Sequence, residues 1–106
     1  MDNPIEKIGE IIHLYESGAY LQLEVLRQIR RELATANYHL TKINIDAYNR
    51  WNTLIYNRGG DSVASAKVSA DYKVPELRES RKIMEAVKNV LSEMNQEISI
   101  LKNENN

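Results

Sequence analysis

The chain has 106 residues, with 14 basic against 15 acidic side chains for a formal net charge of −1, and it contains no cysteine. A chain of that length forms one domain with a modest core. The lack of thiols excludes a disulfide framework and a thiolate metal site, so no oxidising compartment is needed. No apolar run approaches the roughly 20 residues that span a bilayer, and Met1-Asp2-Asn3-Pro4 is not a basic segment leading into an apolar one. The expectation is a protein that is neither secreted nor membrane-spanning, at home in the cytoplasm.

In chain order, Asn3 as N-cap, Pro4 at the first helical position and Glu6 in the first turn start a helix. Ile5, Ile8, Ile12 and Tyr15 recur at intervals of three and four, and Ile11 widens the stripe. One amphipathic helix over 4–17 is predicted, ending at Ser17-Gly18. From Ala19 no Pro or Gly occurs until Gly59-Gly60, which permits one helix over 19–58 with a length of about 58 Å at ~1.5 Å per residue. Within it Leu26, Ile29, Leu33, Ala36, Leu40, Ile43 and Ala47 alternate three-four spacing without a miss, the pattern of a coiled-coil seam. Gly59-Gly60 can supply the left-handed C-cap conformation that other residues resist, so the helix is expected to stop there.

Asp61 or Ser62 can cap a short helix over 62–72, whose small residues Ala64, Ser65, Ala66, Ser69 and Ala70 allow close backbone approach. Val74-Pro75 breaks it, because the residue before proline is pushed away from the helical region, and Pro75 with Glu76 opens a last helix over 75–102. There Leu77, Ser80, Met84, Val87, Leu91, Met94, Ile98 and Leu101 repeat the three-four spacing, with Ser80 the single polar member. The polar tail Lys102 to Asn106 is expected to fray. The short connector predicts that the two seams pair as an antiparallel hairpin. The fold class is therefore all-α: one domain over 1–106, a long coiled-coil-like helical hairpin with an amphipathic helix at its N-terminus. A thin hairpin leaves Ile45, Tyr48, Ile83 and Val90 partly wet in a monomer, and exposed apolar surface of that extent marks an interface. A homo-oligomer is the expectation.

The inventory for catalysis is thin. His13 and His39 stand on different helices without His-Glu-x-x-His spacing, so no metal site is predicted, and no catalytic residue can be named. Gly59-Gly60 lacks the Lys-Ser/Thr of a phosphate loop, and no Glu-x-x-His pair of a di-iron bundle is present. Carboxylates four apart, such as Glu93 and Glu97, read as solvated helix surface. The expectation is a protein that binds and self-assembles, with no enzyme activity and no cofactor.

Charge is unevenly spread. Residues 1–24 carry one Lys against five acids, a local charge of −4, while residues 25–82 carry eleven basic and six acidic side chains, giving +5. Within that segment Arg50, Trp51, Tyr56 and Arg58 bring cations and aromatic rings together before the Gly-Gly turn, with Lys67 and Lys73 beyond it. Cations that neutralise phosphates beside rings that stack on bases are how single strands are bound. Trp51 also continues the apolar stripe of positions 47, 51 and 54/55, so a packed tryptophan competes with a stacking one.

The run Arg50-Trp51-Asn52-Thr53-Leu54-Ile55-Tyr56, the turn Arg58-Gly59-Gly60-Asp61, the stretch Val68-Ser69-Ala70-Asp71-Tyr72-Lys73-Val74 and the ending Glu97-Ile98-Ser99-Ile100-Leu101-Lys102 together resemble the UvsY family of phage recombination mediators. The resemblance spans roughly residues 19–102. It implies a ring-like homo-oligomer that binds single-stranded DNA in the host cytoplasm and helps a recombinase displace a single-strand binding protein. In that family a basic pair two residues apart precedes the turn. Arg50 matches the first of the pair, and the uncharged Asn52 stands at the second. The rival class is a non-enzymatic structural or interaction protein, such as a virion or anti-defence factor, which needs only the seams and the assembly.

Overall fold

The computed structural model describes residues 3–18 and 22–104, and these form four helices without a strand. They are α1 (Pro4–Glu16), α2 (Leu23–Tyr56), α3 (Val63–Lys73) and α4 (Pro75–Glu104). The molecule is a rod of 65 × 27 × 18 Å, because its two long helices lie side by side and only short ones cover them. No helix among the described residues is long and apolar enough to cross a membrane.

Helix α1 begins as its sequence dictates. The Asn3 Oδ1 accepts a hydrogen bond from the Ile5 N–H at 2.9 Å, and Pro4 fills the first helical position, where a missing N–H costs nothing. It ends at Ser17, followed by Gly18 at φ +81°, a value that glycine adopts without steric cost. The expected start of the second helix at Ala19 lies outside the described residues, and α2 is regular from Leu23. Its other end comes earlier than the Gly-Gly pair. Tyr56 is the last helical residue, and Asn57 forms the cap at φ −91°, ψ 24°, with its N–H on the Thr53 carbonyl at 3.0 Å. Asparagine leaves a helix readily because its side chain competes for backbone partners. Gly59 instead takes φ +68° inside a separate turn, in which the Asp61 N–H donates to the Arg58 carbonyl at 3.4 Å. At the far end Lys102 to Glu104, expected to fray, remain helical.

The three-four stripe of α2 is the centre of the core. Leu26, Leu33 and Leu40 are wholly buried, Ile29 and Ala36 nearly so, and they pack with Ile8, Ile11 and Tyr15 of α1 and with Val87 and Met94 of α4. Burying each large aliphatic side chain contributes about 1.5–3 kcal/mol. Ile43, Met84, Leu91, Ile98 and Leu101, further members of the predicted seams, are half-buried. Cross-helix pairs fix the direction. Arg30 donates to Asn95 at 2.6 Å, Asn44 to Ser80 at 2.9 Å, and Arg50 lies 3.7 Å from Glu76. Numbers that rise along α2 fall along α4, so the two helices run in opposite directions.

A second, smaller cluster closes the far end, where Ala47 meets Val74 and Leu77 with Trp51 and Leu54 against them. The Asn44–Ser80 bond lies between the two clusters. Ser80, only 1 % exposed, also donates to the Leu77 carbonyl at 3.2 Å, so the one polar residue of the α4 stripe is satisfied where it is buried. Helix α3 buries only Ala66 and Ala70, whose small side chains let its backbone come close to α2.

Candidate nucleic-acid interface

The cations and rings predicted from the sequence all fall at the end of the rod where α2, α3 and the start of α4 meet. Their surroundings differ. Arg50 sits in the last turns of α2 with its Nε 3.1 Å from Asp46 and its Nη2 3.7 Å from Glu76. Two carboxylates beside one guanidinium cancel its charge locally, and the Glu76 contact links α2 to the start of α4; exposed ion pairs of this kind contribute about 0–1 kcal/mol each.

Trp51 is half-buried. Its indole N–H donates to the Asp71 carboxylate at 2.8 Å, and its ring stacks on Tyr48 with centroids 6.2 Å apart and planes 19° from parallel. The same Asp71 lies 3.9 Å from Arg78. Trp51 therefore ties α3 to α2, and one face of its ring is already stacked. Arg81 approaches the Tyr48 ring at 5.9 Å, which extends this surface onto α4.

Tyr56 is 85 % exposed at the last position of α2. Beside it Arg58 bends back so that its Nη1 donates to the Ile55 carbonyl at 3.2 Å, which caps the helix end with a cation. Lys67 and Lys73 are exposed on α3. Six residues apart, they lie about 120° apart around the helix, so they mark two faces rather than one. Among the described residues Arg58, Lys67 and Lys73 form no ion pair.

No protein-family model, curated protein or solved structure matches this chain. The reading of the site therefore rests on its own geometry. That geometry adds a ring that sequence reasoning passes over. Tyr72 is 89 % exposed on α3, one turn after the 72 % exposed Val68, and both point away from the buried Ala66 and Ala70. The signal was available, because placing Ala66 and Ala70 inward sends positions 68 and 72 outward at the helical period. No group of three or more His, Cys, Asp or Glu able to hold a metal ion occurs among the described residues.

Proposed function

We propose that the chain is a non-enzymatic accessory protein that binds single-stranded DNA, with its α2–α4 pair acting as a coiled-coil-like hairpin in a homo-oligomer. The observation that carries this reading is that two rings, Tyr56 and Tyr72, are almost fully exposed at the same end of the molecule as Arg58, Lys67 and Lys73, which form no ion pair among the described residues. A ring exposed to that degree costs hydrophobic free energy in the free protein, and a base stacked on it returns about 1–3 kcal/mol. A protomer with so few cations binds weakly, and copies acting on one strand raise affinity through effective concentration. The resemblance to UvsY-family mediators supports a setting for this activity, in which the bound strand passes to a recombinase as a single-strand binding protein leaves.

The test is fluorescence anisotropy of a labelled single-stranded oligonucleotide at rising salt. Affinity should fall as salt rises, and Arg58→Ala with Lys67→Ala should lower the log–log slope by about 1.4, two contacts at ~0.7 each. A wild-type protein that leaves the oligonucleotide free at low salt would refute the reading. A second reading, docking onto another protein, is favoured by the outward Val68–Tyr72 pair alone. In that case both cation changes would leave the partner's affinity nearly untouched.

A further inference from the structure

A groove runs between α1 and α2 away from the tip, with a volume of about 780 Å³. Its rim carries Lys7 from α1 and Arg31, His39 and Lys42 from α2, against one acid, Glu32. Among the described residues none of these four basic side chains enters an ion pair, in contrast to Arg50 at the tip. Its floor is different in kind. Pro4, Ala36 and Ile43 are apolar, and Ala36 is already buried.

We propose that this groove is a second binding site for single-stranded nucleic acid, with phosphates on the Lys7, Arg31 and Lys42 rim and base faces against the half-buried Pro4 and Ile43 of the floor. The proposal rests on the single-strand reading above and extends the strand's path from the tip along α2. Charge complementarity selects a polyanion, since three permanent cations oppose one carboxylate. The apolar floor then selects among polyanions. A duplex presents phosphates while its base faces are stacked inside, whereas an unpaired strand offers both groups to one groove. Tyr38 stands next to the rim, 59 % exposed, with the Lys42 Nζ 4.6 Å from its ring centre. The cation and the ring are therefore presented together, as stacking beside a phosphate contact requires. From Arg31 to Lys42 the rim extends about 16 Å along α2 at ~1.5 Å per residue, long enough for more than one phosphate.

Sequence alone does not show this site. Lys7 lies in the acidic first quarter of the chain, and only the packing of α1 against α2 brings it to the basic side chains of the second helix.

The experiment uses the full chain and labelled oligothymidylate as the probe, with an unlabelled duplex of equal length as competitor. Lys7→Ala, Arg31→Ala and Lys42→Ala are combined in one variant. All three side chains are exposed, and alanine is the best helix former, so the fold should hold, as circular dichroism would verify. The expected result is a salt slope lower by about 2, three contacts at ~0.7 each. Thr35→Glu, which places a carboxylate on the groove wall at an exposed position, should weaken binding alone, and the duplex should compete poorly. If the wild type binds and both variants keep its affinity and slope, the groove assignment is overturned while the tip reading stands. Equal competition by the duplex would overturn the role of the apolar floor. A wild type that binds no oligonucleotide at low salt would overturn the site together with the reading beneath it.

Discussion

Replacing Leu40 by alanine tests the packing that positions everything else. Leu40 is wholly buried midway along α2, in the cluster that joins α1, α2 and α4. Leu→Ala at such sites costs about 2–5 kcal/mol, the lost transfer free energy plus a term for the cavity that remains. The rod is only 18 Å across its thinnest dimension, so neighbours can relax inward from one side. A value near 3 kcal/mol follows. Domains of this size have about 5–15 kcal/mol of stability, so the change removes a large share of it and should lower the melting temperature by roughly 12–24 °C at ~4–8 °C per kcal/mol. Urea unfolding followed by helical circular dichroism, at one fixed protein concentration, measures the loss, and the denaturant slope should not change. Tyr56→Ala, at an 85 % exposed position, serves as control and should shift stability by no more than about 0.5 kcal/mol. A Leu40→Ala protein within about 1 kcal/mol of wild type would refute the placement of this residue in a closed core.

Ser80→Ala should cost about 1–3 kcal/mol by leaving the part-buried Asn44 amide without its acceptor, whereas Asn44→Leu combined with Ser80→Ala should recover most of that loss, as a double-mutant cycle in urea would show. Gly59→Val should cost about 1–2 kcal/mol, because nothing lies within 4 Å of an added Cβ and the penalty comes from the +68° φ alone; the same change at Gly60, where φ is not positive, should cost clearly less in the same melt. Trp51→Phe keeps an aromatic ring but replaces the indole by a smaller phenyl and removes the N–H on Asp71, and should cost about 1 kcal/mol or more while speeding amide exchange in α3 more than in the middle of α2.

The periodicities settle much of the architecture before any coordinates. Leu26, Leu33 and Leu40 repeat on one helical face because that face is buried, and Val74-Pro75 separates α3 from α4 for a steric reason that no tertiary contact can override. Helix ends were less legible. Gly59-Gly60 looks like the stop, yet Asn57 ends α2, since cap geometry depends on backbone angles that several polar residues can supply. The site was legible as residue types but not as charge states. Nothing near Arg50 in sequence except Asp46 announces its neutralisation, because Glu76 comes from another helix. Trp51 was equally ambiguous, since its partner Asp71 is 20 residues away.

The most direct test of single-strand binding is a titration of the isotope-labelled protein with an unlabelled single-stranded oligonucleotide at low ionic strength, followed by backbone amide resonances. The account predicts saturable shifts at Tyr56, Arg58, Lys67 and Tyr72 and along Arg31 to Lys42, reversed by added salt, with the outward face of α4 around Glu93 undisturbed. Spectra unchanged through the titration, or shifts confined to α4, would contradict it.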